Sequence, residues 1–199
     1  MDIRRYFDSV DHDILKRLLH HGIEDARVLQ LCNHIIDSFN VGIPLGNVTS
    51  QLFANIYLNE LDQYIKQELR EQHYLRYCDD FIIVSDDKCH LLCLIGWIRK
   101  FLEEKLRLQL HPQKVTIRKL SQGIDFVGYV LFENHILMRT RSKQRMQKRL
   151  MERHENFLNG TTEPRSMDQT LQSYLGILSH ANTYTLSQTL KNAYWIQSD

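Results

Sequence analysis

The chain has 199 residues, 43% hydrophobic and 25% charged, enough apolar material for one large domain or a domain with a small appendage. Its 8 glycines and 3 prolines exclude collagen, a low-complexity linker and general disorder. No run approaches the ~18 apolar residues of a membrane span. Met1-Asp2-Ile3-Arg4-Arg5 leads into no signal-peptide core, so a soluble chain not exported by that route is expected.

The formal net charge of +1 conceals an asymmetry. Residues 1–87 carry 8 Lys/Arg against 15 Asp/Glu, and residues 88–199 carry 17 against 9. Arg139, Arg141, Lys143, Arg145, Lys148, Arg149 and Arg153 face only Glu152 within residues 139–153. An acidic half and a basic half suggest a metal-binding centre beside a polyanion-binding surface. Four cysteines (Cys32, Cys78, Cys89, Cys93) are too few for a disulfide framework at this length. Cys89-His90-x-x-Cys93 is half a zinc pattern without its second half. Buried, reduced thiols and a reducing cytoplasm are expected.

In chain order, Asp2–Phe7 reads as the end of a β-strand. Asp11 is a plausible N-cap for a helix over His12–His20, with Gly22 just past its end. A second helix is expected near Asp25–Phe39. The loop Gly42–Gly46 then leads to a long helix, capped by Asn47 or Thr49 and reaching about Leu69. Tyr74–Cys78 and Phe81–Val84 are short β-rich runs joined at Asp79-Asp80, a hairpin pattern. Leu91, Leu94, Ile95, Ile98 and Leu102 share one face of a helix over His90–Leu106. Strands are expected at Val115–Arg118, Phe126–Leu131 and Ile136–Arg139, and a basic helix at Arg141–Phe157. Gly160–Ser166 reads as a linker, followed by helices at Met167–Ser179 and Ser187–Ile196.

The chemistry centres on three carboxylates. Asp2 stands at a strand end, and Asp79-Asp80 lie between Tyr77-Cys78 and Phe81-Ile82. Turns commonly contain Asp, so one reading has one carboxylate bonding the backbone and the other solvated. The other starts from charge: two adjacent carboxylates between apolar runs repel each other and are costly to desolvate without a cation. Mg²⁺ takes oxygen ligands and shares them with substrate phosphates, and two such ions can clamp both oxygens of a phosphoryl transfer. The spacing alone leaves both readings open.

Three motifs occur in family order: Asp2-Ile-Arg-Arg-Tyr-Phe-Asp-Ser-Val-Asp-His12; Gly42-Ile-Pro-Leu-Gly-Asn-Val-Thr-Ser-Gln51 with Leu52–Leu58; and Tyr77-Cys-Asp-Asp80. Together they resemble the palm motifs of reverse transcriptases. The second motif ends in Ser-Gln, where group II intron and retroviral relatives have Ser-Pro. This ending and Ser173–Tyr184 are similar to the reverse transcriptases of diversity-generating retroelements. The resemblance implies an α+β fold: a palm over 1–138, its antiparallel sheet packed by helices, then a small helical thumb over 139–199. The fingers that precede the first aspartate in the family have no counterpart here, so an N-terminally truncated palm and thumb is expected.

The resemblance also implies residue roles. Asp2, Asp79 and Asp80 match the metal-binding aspartates, with Ile3 beside Asp2 counted among metal- and nucleotide-binding positions. Two Mg²⁺ ions, with Mn²⁺ as a substitute, would activate the primer 3′-hydroxyl and stabilise the pyrophosphate leaving group. Phe7 matches the aromatic gate that leaves no room for a 2′-hydroxyl; read alone, it would be a core aromatic. Pro44, Leu45, Gly46 and Gln51 fall in the nucleotide-binding loop. Leu45 replaces a Gln of many relatives, and in the resembled branch this goes with error-prone copying of template adenines. Arg139, Arg141, Lys143, Arg145, Lys148 and Arg149 would contact phosphates of an RNA–DNA duplex; an isolated run of this kind would be a solvated helix face. His12, His111 and His180 are expected to be structural. Partners would be an RNA template, a DNA primer or cDNA, dNTPs and a small basic accessory protein, without a membrane. The rivals are a truncated nucleic-acid-binding remnant and a two-metal nuclease; the latter gives no reason for Phe7 or the Gly42–Gln51 loop.

Overall fold

The computed structural model describes residues 1–161 and 163–194. The chain divides into two compact units, Met1–Ile117 and Arg118–Asp199. In the first, α1 (Tyr6–Ser9), α2 (His12–Gly22), α3 (Ala26–Asp37) and α4 (Val48–Gln63) precede a hairpin of β1 (Tyr74–Tyr77) and β2 (Asp80–Ile83), and α5 (Lys88–Leu106) follows. A π-helical turn, Tyr64–Glu68, carries α4 to the reach expected from the sequence.

Capping and periodicity account for these helices. The Asp11, Asp25 and Asp87 side chains accept backbone N–H bonds at the starts of α2, α3 and α5. On α5, Leu94, Ile98, Leu102 and Leu106 are buried at helical spacing, with Leu91 and Ile95 only partly covered. Two tyrosines lock α4 into the core. The Tyr6 hydroxyl donates to Ala54 O at 2.6 Å, and the Tyr57 hydroxyl donates to Leu106 O at 2.7 Å.

The hairpin is antiparallel, pairing Tyr74 with Ile83 and Tyr77 with Asp80. Residues 1–3 lie along its far side. Phe81 N donates to Met1 O at 2.9 Å, and Asp2 stands opposite Asp80. The same segment pairs Ile3 with Leu110 on its other side, flanked by Arg4 N to Gln109 O and His111 N to Asp2 O, both 2.8 Å. Extended structure ends there, because Arg5 takes a left-handed φ of 44° and α1 begins at Tyr6. Phe7 therefore sits on a helix, not on the strand expected from the sequence.

The second unit holds β3 (Ile124–Phe126), β4 (Tyr129–Leu131), β5 (Ile136–Met138), α6 (Thr140–Leu158), α7 (Pro164–Leu178) and α8 (Tyr184–Tyr194). β3, β4 and β5 form an antiparallel sheet in that order. Met146, Leu150, Met167, Leu171, Leu178 and Leu190 are its buried core, with Met138 packed against them. The expected strand Phe126–Leu131 is split by a turn at Val127-Gly128, both at positive φ. Val115–Arg118 alternates like a strand but pairs with nothing among the described residues, and Val115 packs on the first core instead.

The division falls at 117/118, ahead of the 138/139 boundary expected from sequence. β4 and β5 bond the helical region directly: Tyr129 OH donates to Ile177 O, and Ile136 N donates to Asn182 Oδ1, both at 2.9 Å. The linker is shorter than expected, since α7 starts at Pro164. The part of the last expected helix beyond Tyr194 lies outside the described residues. Cysteine burial also differs from expectation. All four thiols are free, but Cys78, Cys89 and Cys93 are exposed and Cys32 is half-buried. No described helix is long and apolar enough to cross a membrane.

Among the glycines of the first unit, Gly42 sits closest to neighbouring backbone. It has φ +56°, and a Cβ there would lie 2.2 Å from Phe7 O. Gly42→Ala is expected to lower stability by about 2 kcal/mol or more, from left-handed strain plus the clash. Gly22→Ala, with nothing within 4 Å of its Cβ, should be neutral or better in the same urea unfolding experiment.

Candidate metal and nucleotide site

Strand pairing assembles the acidic cluster. Asp80 is the first residue of β2, Asp79 precedes it in the turn, and Asp2 faces Asp80 from the neighbouring segment. Asp2 is 9% exposed, whereas Asp79 and Asp80 are half-buried. Burial pushes the Asp79 carboxyl above its ordinary value; the charges of Asp2 and Asp80 push the same way, and Lys114 opposes them.

Lys114 is the residue sequence reasoning missed. Its ammonium forms an ion pair with Asp2 Oδ2, and its pKa is raised first by that hydrogen bond and then by Asp2, Asp80 and Asp79. The backbone delivers it there, because His111 N bonds Asp2 O and Lys114 N bonds His111 O at 3.2 Å. No local pattern marks it: 112 positions separate it from Asp2. The cation supplies part of the charge compensation that three neighbouring carboxylates require.

The donors suit a hard divalent cation, since all are carboxylate oxygens at one end of a hairpin. No group of three or more His, Cys, Asp or Glu side chains among the described residues forms a ready metal cage. Asp2 is turned to Lys114 instead. Mg²⁺ usually keeps several waters and substrate phosphates, so a partial protein set fits it better than a closed one. The Ile3 side chain is 1% exposed and packed in the core, which leaves only its backbone available to a ligand.

The glycine loop docks beside Phe7. Ile43 N donates to Phe7 O at 2.8 Å, and His12 Nε2 lies 2.7 Å from Gly42 O. His12 thus supports the loop, as a structural histidine would. Phe7 is half-buried with its ring edge-on to Tyr6 at 5.3 Å. Beyond this anchor Pro44, Leu45 and Gly46 are exposed, Leu45 to 76%, and Gln51 is exposed on the first turn of α4. The expected nucleotide residues therefore share one stretch that runs from the flank of Phe7 to α4.

The basic residues belong to the second unit. Met146 and Leu150 anchor α6, while Arg141, Arg145, Lys148 and Arg149 are exposed and Lys143 is partly covered. Lys148 has Glu152 3.9 Å away. Arg139 differs from the others, because its guanidinium is held by Asp125 at the entry to the helix.

The family described as "Reverse transcriptase (RNA-dependent DNA polymerase)" matches residues 1–131. Protein YkfC of Escherichia coli is 29% identical over 184 residues, covering 71% of this chain and 47% of that protein. The group II intron-encoded protein LtrA of Lactococcus lactis subsp. cremoris is 26% identical over 200 residues, covering 64% of this chain and 33% of LtrA. The chain thus spans half or less of the length of these curated relatives. The family match takes in both carboxylate segments, the glycine loop and Lys114, and this chain belongs to the reverse transcriptase family.

Proposed function

We propose that this chain carries the polymerising centre of an RNA-directed DNA polymerase. The observation that supports it is the placement of Asp2 opposite Asp80, with Asp79 electrostatically coupled to both. Asp2, Asp79 and Asp80, with the Ile3 backbone alongside, would hold two Mg²⁺ ions, for which Mn²⁺ can substitute. Bound there, Mg²⁺ would activate a primer 3′-hydroxyl and stabilise departing pyrophosphate. Phe7 would lie under the incoming sugar and exclude a 2′-hydroxyl, while Pro44, Leu45, Gly46 and Gln51 border the nucleotide.

In this reading residues 139–199 form a helical thumb, and the exposed cations of α6 hold the phosphates of a template–primer duplex. Such contacts weaken steeply with salt. RNA template, DNA primer, dNTPs and a small basic accessory protein are its partners, in a reducing cytoplasm. The Ser50-Gln51 ending and Leu45 favour an error-prone enzyme of a retroelement that diversifies a target gene. An exposed aliphatic side chain at 45 offers a nucleotide no hydrogen bond. A non-catalytic nucleic-acid-binding role is the second reading, favoured by Lys114 sitting on Asp2.

Primer extension on poly-rA separates the two. The wild type should incorporate dTTP with Mg²⁺, and Asp79→Asn should lose at least about 10³-fold in rate; equal, background incorporation by both selects the non-catalytic role. Leu45→Gln should lower misincorporation opposite template adenine, read by sequencing the products.

Melting curves test the metal reading without catalysis. Lys114 is 55% exposed and can leave Asp2 without unpacking the core. Lys114→Met should melt lower than wild type in EDTA, by an amount on the order of 1 kcal/mol or less because the pair is partly solvated. Mg²⁺ should then raise its melting temperature by more than it raises that of the wild type. Asp79 gives the pH sign: with its folded pKa above the ordinary 3.8, the metal-free fold gains stability as pH falls through the folded value towards 3.8. Asp79→Asn should remove that gain.

A further inference from the structure

We propose that Arg76 is a positioning residue for the Asp79–Asp80 turn, clamping it to α4, the helix that carries the glycine loop at its start. The inference deepens the polymerase reading and rests on it for what the turn holds.

The alternation of β1 sets the geometry. Leu75 and Tyr77 are exposed, while Tyr74 and Arg76 are the partly covered residues of the opposite face. Arg76 Nε donates to Asp62 Oδ1 at 2.7 Å and Nη2 to Asp62 Oδ2 at 2.5 Å, a two-pronged bond to α4. The Tyr74 hydroxyl donates to the same carboxylate at 2.7 Å. A further prong, Arg76 Nη1, donates to Cys78 O at 3.0 Å, with Asn55 Oδ1 3.5 Å away. Asn55 and Asp62 are two helical turns apart on α4. One guanidinium thus spans helix and turn.

The bond to Cys78 O falls where the turn needs it. Cys78 has φ +53°, a left-handed conformation that costs a non-glycine residue about 1–2 kcal/mol. The carbonyl fixed by Arg76 belongs to the peptide that leads directly into Asp79, so its direction sets the course of the acidic residue. Asp62 neutralises the guanidinium and occupies Nε and Nη2, which leaves Nη1 for Cys78 O, with Asn55 Oδ1 at the edge of its reach. A lysine has neither the fork nor the plane to make all these bonds together. Residues supporting a metal ligand from behind typically change metal affinity or activity 10–100-fold when replaced.

The test is Mn²⁺ binding to the full chain, followed by the electron paramagnetic resonance signal of free Mn²⁺, beside melting and primer extension. Arg76→Lys should bind Mn²⁺ at least about tenfold more weakly. Its kcat should fall by a similar factor while KM for template–primer stays within about twofold, because the duplex surface is untouched. Adding Cys78→Gly, which relaxes the left-handed requirement, should recover part of the Mn²⁺ affinity; a purely structural clamp would show no such recovery. If Arg76→Lys does not fold, Asp62→Asn loosens the same fork and is read the same way. A folded variant with wild-type Mn²⁺ affinity and kcat, or one that melts lower with both unchanged, overturns the clamp. Wild type that binds Mn²⁺ but extends no primer sinks the polymerase reading and leaves the affinity arm to decide the clamp. Wild type that binds no Mn²⁺ overturns both.

Discussion

The placement of residues 1–3 between β2 and residues 109–111 is the pairing on which the rest of the first unit depends. It buries Ile3 and Tyr6 in the core, sets Asp2 against Asp80, and draws the Lys114 loop back over the acidic end of the hairpin. Each consequence is a matter of register. Side chains alternate along an extended segment, so a slip of one residue would turn Asp2 inward and Ile3 outward. The apolar cost of that slip protects the carboxylates' alignment. The hydrophobic core therefore holds the charged site in place.

That alignment gathers like charges, and two devices make it tolerable. Lys114 supplies a neighbouring cation, and the half-exposure of Asp79 and Asp80 keeps part of their hydration. A fully buried triad would require a permanent partner. A partly open one can exchange its counter-charge with solvent. The glycine loop shows a similar economy. One part is fastened to the backbone of Phe7 through Gly42 and Ile43, and Pro44, Leu45 and Gly46 stay exposed.

Much of this architecture could be read before any coordinates. α2 declares itself by its Asp11 cap, α5 by the apolar face Leu91–Leu102, and the hairpin by two β-rich runs around Asp79-Asp80, whereas Asn47, expected as a cap of α4, makes no side-chain capping bond. The errors have physical reasons. The strand end expected over Asp2–Phe7 stops at Arg4, because Arg5 turns left-handed and a helix starts at Tyr6. Val115–Arg118 has strand alternation, but alternation only offers an edge; pairing requires a neighbour. The exposed cysteines show that residue type alone does not fix burial. Lys114 and Arg76 are not legible in the sequence for a different reason. Their roles depend on partners 112 and 14 positions away, Asp2 and Asp62, and no window of sequence contains a salt bridge across a fold.

The two edges of the central pairing differ in how they are reached. β1 and β2 meet through a two-residue turn, so the hairpin can form as soon as it is made. Met1 must find Phe81 across 80 residues, and Ile3 then needs Leu110. Loop closure over such distances is slow compared with a hairpin. Residues 1–3 therefore complete their pairing only once the segment after α5 is in place. A chain lacking that segment would keep the hairpin carboxylates but lose the pairing that sets Lys114 beside Asp2.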